Sequence, residues 1–233
     1  MSIYYNKVGT DITIANTPEA AGAHNIWSGT SALCSGYYVT IAGSTLVLPE
    51  SATRLFYGAK SVSGLDKVDA SGCTNMNYMF ERCGETTYDI DSWDVSNVTS
   101  MKSIFSGCSA RYIYVSTWDI SNVTDLSSAF NGITNMYLLD LLSWKPGAAL
   151  QSGGLNYMFN GCTELRYIKV EDGDDWKLST SGVTGTDMFT GCTHLPNFTD
   201  GEVDINRANT IKNFGYFTGT RVLRPCKVYM RGV

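Results

Sequence analysis

Five aspartates, Asp89, Asp91, Asp94, Asp119 and Asp140, are the residues of this chain best suited to chemistry. Two carboxylates facing each other across a cleft could divide acid and base work on a glycosidic bond, one protonating the leaving oxygen while the other activates water or attacks carbon. Their spacing argues for another role. Asp94 and Asp119 each follow a tryptophan inside a recurring W-D-x-S-N-V-T, and an Asp at one place in every repeat reads as scaffold. Four cysteines, Cys83, Cys108, Cys162 and Cys192, stand three residues after a phenylalanine, where other segments carry Ala59, Ile133 and Thr220. Interchange with Ala and Ile describes a small buried slot. The total of seven cysteines is odd, and no CxxC is present, so neither a disulfide framework nor a zinc site is indicated. The two histidines, His24 and His194, lack ligand spacing to any cysteine pair, and EDGDD at 171–175 reads as a solvated loop before it reads as a calcium site. No G-x-S-x-G, G-x-x-x-x-G-K or G-x-G-x-x-G occurs. No catalytic residue, metal or cofactor is therefore expected, and the chain is not expected to be an enzyme.

Asn97 and Asn122 in N-V-T, and Asn197 in N-F-T, fit the N-glycosylation acceptor pattern. Two of the three recur in register, and short polar side chains at a turn bond neighbouring amides, which favours a structural role.

Those residues must be placed by a scaffold, and the totals bound what it is. The chain has 233 residues, 43% hydrophobic and 12% aromatic, enough to bury a sizeable core, and only 17% are charged. A net charge of −5 gives no basic field for nucleic acid. No apolar run approaches the roughly 18 residues that cross a bilayer, and MSIYYNKVGTDITIANTPEAAG carries no secretory pattern, so synthesis in the cytoplasm is the expectation.

Phe56, Phe80, Phe105, Phe130, Phe159, Phe189 and Phe217 recur at spacings of 24, 25, 25, 29, 30 and 28 residues. Gly follows two residues later in every case but Phe80, where Arg82 stands, and Met76, Met101, Leu126 and Leu155 precede by four. A period of this length is the signature of a solenoid. Within a period, Val98, Met101, Ile104, Phe105 and Cys108 fall near one side of a helix. YDID, YIYV, YLLDL and YIKV then alternate as a half-buried strand does. The expected fold is an α/β solenoid of six or seven coils, with the phenylalanines as its spine.

WDVSNVTSMKSIFSGC at 93–108, its near copy at 118–133, and FNGCTEL and FTGCTHL further on resemble the BspA-type leucine-rich-repeat surface proteins. The resemblance is clear over 73–133 and looser to about 219. It implies a right-handed leucine-rich-repeat-like stack and a binding role, in adhesion or in host-surface recognition, and similar repeats also occur in phages and mobile elements.

The expected organisation is a β-rich cap or docking module at 1–50, with a hairpin at Ala42-Gly43-Ser44, the solenoid at 51–220, and a capping strand at 221–233. The strand alternation puts Tyr88, Ile113, Leu139, Ile168 and Ile90, Val115, Leu141, Val170 inward. Outward lie Asp89, Tyr114, Asp140, Lys169 in one file and Thr87, Tyr112, Leu138, Tyr167 in the next. Tyr112, Tyr114, Leu138 and Tyr167, beside Asp89, Asp140 and Lys169, are the candidate ligand-binding residues, because aromatic side chains with polar tips suit recognition. The same tyrosines equally suit ladders that pack on one another. The expected function is a non-catalytic recognition or structural module. As a virion component, a phage tail fibre or capsid decoration, it would bind a bacterial surface protein or polysaccharide and dock on other virion subunits through its N-terminal block; further copies of the chain, in a homo-oligomer, are another expected partner. The alternatives are a bacterial cell-surface adhesin and, third, a polysaccharide-processing enzyme.

Overall fold

The computed structural model describes residues 2–22, 25–29, 32–145, 149–171, 183–198 and 217–219. His24, residues 172–175 of the acidic run and the capping strand expected at 221–233 lie outside them. The strands are short: β1 (Tyr4–Val8), β2 (Asp11–Ala15), β3 (Asn25–Ile26), β4 (Tyr38–Ile41), β5 (Leu46–Val47), β6 (Ser61–Ser63), β7 (Val68–Asp69), β8 (Thr87–Asp89), β9 (Tyr112–Tyr114), β10 (Leu138–Asp140), β11 (Tyr167–Val170) and β12 (Phe217–Gly219). They assemble as two five-stranded sheets, β3-β1-β2-β4-β6 and β12-β11-β10-β9-β8, and a pair β5-β7. All pairing from β8 to β12 is parallel, with Thr87 opposite Tyr112, Tyr88 opposite Ile113, and Leu139 opposite Ile168. This is a β-solenoid of about six turns.

The helices expected after each W-D-x-S-N are not formed. Among the described residues the one α-helix is α1 (Pro18–Ala21), and Leu65–Lys67 form a single 3₁₀ turn. The Val-Thr-x-Met-x-x-x-Phe segment and its counterparts run as three overlapping β-turns instead. The amides of Met101, Ser103, Phe105 and Gly107 donate to the carbonyls of Asp125, Ser127, Ala129 and Asn131 in the next coil. Those of Ile104, Ser106 and Cys108 donate three residues back, to Met101, Ser103 and Phe105. Ser103 at φ 52° and Gly107 at φ 64° are left-handed, which an α-helix does not accommodate. The pattern repeats down the stack, with Arg54, Tyr78, Ser128, Tyr157 and Asp187 at the first left-handed place and Gly58, Arg82, Gly132, Gly161 and Gly191 at the second. Three overlapping β-turns bury side chains at i, i+3, i+4 and i+7, the spacing of an amphipathic helix, so periodicity alone does not separate turns from helix.

The rings of Phe56, Phe80, Phe105, Phe130, Phe159 and Phe189 lie face to face, with centroid separations of 5.2, 5.5, 5.6, 5.7 and 5.5 Å. All six are fully buried, and such pairs add about 0.5–1.5 kcal/mol each beyond the area they bury. The backbone of Phe217 lies in β12 opposite Ile168, at a strand position and not at the turn position of the other six. The tryptophans staple coils together: Nε1 of Trp93, Trp118 and Trp144 donates to the carbonyls of Leu65, Ile90 and Val115 at 3.0, 2.9 and 2.8 Å.

At the N-terminal end the hairpin expected at Ala42-Gly43-Ser44 is replaced by a corner. β4 pairs parallel with β6 and β5 parallel with β7, so this segment is already a coil of the stack. β1 and β2 form an antiparallel pair whose second strand lies parallel to β4, and one hydrophobic core runs without a break from Ile3 to Leu195. An antiparallel pair placed there closes the edge that a parallel stack leaves open.

Candidate functional site

The parallel sheet sets its own two faces. Tyr88, Ile113, Leu139 and Ile168, with Ile90, Val115, Leu141 and Val170, are buried against the spine. Thr87, Tyr112 and Leu138 point out, Asp89 and Tyr114 point out beside them, and Tyr167, Asp140 and Lys169 are half-buried on the same face. All seven candidate binding residues are thereby brought to one surface. Four of the seven exposed large hydrophobic side chains in the described residues lie on it, Tyr112 (50%), Tyr114 (47%), Tyr137 (48%) and Leu138 (37%).

The face is ordered by its own contacts. Tyr112 and Tyr114 lie parallel with centroids 6.4 Å apart, and the Lys169 ammonium meets the Asp140 carboxylate at 2.8 Å. Tyr137 stands edge-on to Tyr167 at 5.5 Å, with the Arg166 guanidinium 5.4 Å from the Tyr137 ring centroid. The neighbouring Tyr167 hydroxyl, foremost, holds the Tyr137 phenol above its ordinary pKa. Tyr137 and Arg166 were missed by an alternation rule that starts at the first strand residue. They occupy the position before it, in a file Thr86, Arg111, Tyr137, Arg166 tied by Arg111 N–H to Thr86 O and Arg166 N–H to Tyr137 O. The run of Arg111, Tyr137 and Arg166 up that file was the available signal.

The carboxylates that could do chemistry are mostly engaged. Asp91 accepts from the Ser116 and Thr117 hydroxyls and from the Thr117 amide, and Asp140 accepts from the Leu142 amide as well as from Lys169. Asp94 accepts from the Ser96 hydroxyl at 2.7 Å and its amide at 3.0 Å, and Asp119 from the Ser121 amide at 3.0 Å. The Ser96 hydroxyl, then its amide, hold Asp94 below the usual carboxylate range, and the Ser121 amide leads for Asp119. These are turn bonds repeated at three successive corners, the first being Asp69 with Ser71.

The Asn side chains make the inter-coil ladder. Nδ2 of Asn97 donates to Ser71 O and that of Asn122 to Ser96 O, both at 2.8 Å, beside Thr99 and Thr124 hydroxyls that bond Thr74 O and Thr99 O. The described cysteines are free and buried. Burial pushes the Cys108 thiol up to about 12, and Cys34, Cys83 and Cys162 upward by the same cause. The Sγ of Cys162 and Cys192 donates to Phe130 O and Phe159 O. The Tyr88 hydroxyl is buried without a partner of hydrogen-bonding geometry, and burial followed by the Cys108 and Cys83 thiols raises it. His194 Nδ1 lies 2.6 Å from Thr163 O, tying a late coil to its predecessor. Among the described residues no group of three or more His, Cys, Asp or Glu is placed to hold a metal, and no helix is long and apolar enough to cross a membrane.

A family model described as "Mycoplasma protein of unknown function, DUF285" matches residues 50–167 and 74–201, together well over half of the chain. The chain belongs to this family. No curated protein and no solved structure matches it. The DUF285 match begins one coil later than the parallel pairing does, since β4 and β5 lie before residue 50. The corner there reads VDASGCT where its successors read WDVSNVT and WDISNVT, with Val68 and Gly72 at the Trp and Asn positions.

Proposed function

We propose that the chain is a non-catalytic recognition module, a rigid stack whose β8–β11 face binds a protein or polysaccharide of a cell surface. The observation that carries this reading is the concentration of exposed tyrosines on one face of a parallel sheet. Tyr and Leu side chains there expose large apolar area on a backbone already fixed by pairing on both sides, so binding orders little that is not already ordered. The engagement of Asp91, Asp94, Asp119 and Asp140 in structural bonds supports the non-catalytic part, against a polysaccharide-processing enzyme.

The finer assignment belongs to the same proposal. The corner W-D-x-S-N-V-T and the Phe-x-Gly column support kinship with the BspA-type repeats and a right-handed, leucine-rich-repeat-like coil. Two deployments carry such a module. One is a bacterial surface adhesin, which the bacterial description of the DUF285 family supports. The other is a virion component, tail fibre or capsid decoration, docked through the N-terminal block, on which Lys7 lies over Tyr37 at 4.6 Å and whose Tyr38 ring is covered by Lys60 of the next coil at 5.0 Å.

The test is a labelled full-length chain offered to intact bacterial cells and to animal-cell monolayers. Binding to one of these is expected, with Tyr112→Ala plus Tyr114→Ala abolishing it while the melting temperature stays nearly unchanged. Attachment to the monolayer selects the adhesin and attachment to bacteria the virion component. A folded double variant that still binds would discard this face.

A further inference from the structure

Away from the sheet, the stack is interrupted at one corner. The interval from tryptophan to phenylalanine is 12 residues in Trp93–Phe105 and Trp118–Phe130, but 15 in Trp144–Phe159. Hydrogen bonds locate part of the extra length. Thr124 N–H bonds Thr99 O, and Gln151 N–H bonds Thr124 O, so Gln151 takes the place of Thr124. Leu126 N–H then bonds Gly154 O, as Met101 N–H bonds Asp125 O, so Gly154 takes the place of Asp125. Between equivalent positions Ser152 and Gly153 are inserted. The column of single-residue bridges that runs Ser51, Asn75, Ser100, Asp125 reaches no further.

The bulge leaves a notch of about 350 Å³ lined by Lys102, Asp125, Gln151, Asn156 and Tyr157 around the Ser152–Gly154 segment. That volume lies in the range of small-molecule sites, roughly 300–1,000 Å³. Its floor is fixed: a Cβ on Gly154 would sit 2.8 Å from Thr124 O and 2.9 Å from Gln151 O. The Tyr157 ring is 42% exposed beside it. Polar valences there are left open. Asp125 uses one carboxylate oxygen on the Ser127 amide, and Asn156 uses its carbonyl on the Thr186 amide. The second Asp125 oxygen, the Asn156 NH₂, the Gln151 side-chain amide and the Lys102 ammonium have no partner among the described residues.

We propose that this notch is a binding site for a neutral saccharide. One cation and one carboxylate offset each other, so an anion such as phosphate meets Asp125 and a free cation meets Lys102. A neutral polyol meets neither penalty. Carboxylate and amide side chains accept from and donate to hydroxyl groups, and a tyrosine face offers the apolar platform that the C–H face of a sugar ring covers. The site goes beyond the sheet reading and stands or falls separately from it.

The experiment is an array of neutral hexose and N-acetylhexosamine oligosaccharides, with sialylated and phosphorylated ones beside them, probed with the full chain. Calorimetric titration of the best neutral binder follows. Tyr157→Asn, chosen because Asn tolerates the φ of 58° at this position, is expected to weaken binding about tenfold or more, and Gln151→Ala about three- to tenfold. Ser109→Ala, at an exposed position outside the notch lining and outside the strand face, is expected to keep the wild-type affinity for the sugar. Should Tyr157→Asn fail to fold, Gln151→Ala and Lys102→Ala decide, since both side chains lie free of the core. Absence of any neutral binder, preference for the anionic glycans, or wild-type affinity in the notch variants would each overturn the assignment.

Discussion

The coils from Cys73 to Ile133 and those that follow share a spine but differ at the corner. In the first set, Asn97, Asn122, Thr99 and Thr124 each bond a carbonyl one coil back, and Asp94 and Asp119 close their turns on Ser96 and Ser121. In the second set the phenylalanines still stack, Phe130 on Phe159 at 5.7 Å and Phe159 on Phe189 at 5.5 Å, but KPGAALQSGG replaces the Ser-Asn-Val-Thr corner. Strict repetition takes up polar groups, because a side chain that recurs at coil spacing finds its partner in the neighbouring coil. Where the period changes, the partner is displaced and the groups are left to face a ligand. The many aspartates and asparagines of the regular coils are therefore architecture, and a functional polar cluster is to be sought where the repeat fails.

The largest test of this division asks whether the shared spine makes the two regions one folding unit. Phe105→Ala removes a ring held between Phe80 and Phe130 and is expected to lower stability by about 3–5 kcal/mol in urea unfolding. Phe159→Ala, in a lengthened coil and equally sandwiched, is expected to cost the same with a single transition. A much smaller loss at Phe159, or two transitions, would show that the coils beyond Trp144 unfold on their own, as nearest-neighbour stability in a repeat protein allows.

A second test uses the thiols of the regular coils. Folding raises the Cys108 thiol from an ordinary value near ~8.5 to about 12 by burying it. The unfolded chain therefore ionises first as pH rises. The thiol's contribution is whole below about pH 8.5 and is lost progressively from there toward about 12, at up to ~1.4 kcal/mol per pH unit. Between pH 7 and 10 the difference from this residue is about 2 kcal/mol. Cys108→Ala should flatten the alkaline limb of stability against pH by that amount, and an unchanged limb would assign the pH dependence to other groups.

Much of this was legible in the sequence, and the misses have physical causes. The period, the inward and outward files of the strands and the buried thiol column follow from spacing alone. A face that is buried in every coil must show the same residue types in every coil. The turns were misread as helices because Met101, Ile104, Phe105 and Cys108 have one spacing in both structures. What distinguishes them is the pair of left-handed residues at Ser103 and Gly107, and of these only the Gly column announces itself by residue type. Phe217 matched the spine by interval, yet β12 sets it in a strand file, since an interval of 28 residues does not fix which part of a lengthened coil has grown. The N-terminal coil was hidden because Cys34 and Gly36 stand where later coils have Phe and Gly, and no tryptophan marks the corner. The notch at Ser152–Gly154 depends on which hydrogen bonds survive an insertion, and that is a property of pairing, which composition does not carry.

The smallest expected effect separates the two corners most cleanly. Asn122→Ala removes an inter-coil bond of 2.8 Å to Ser96 O, at a corner where Asp119 and Thr124 are bonded as well, and is expected to cost about 1 kcal/mol of stability. Gln151→Ala lies one coil along at an exposed position whose amide bonds nothing described, and its effect on stability is expected to fall within about 0.5 kcal/mol. Parallel urea titrations of the two variants measure the difference directly. If Gln151→Ala proves as costly as Asn122→Ala, the lengthened corner has its own ladder and its amides are not free for a ligand. If neither variant matters, the exposed bonds at the regular corner merely replace bonds to water, and coil alignment rests on the buried phenylalanines and the Trp93, Trp118 and Trp144 staples.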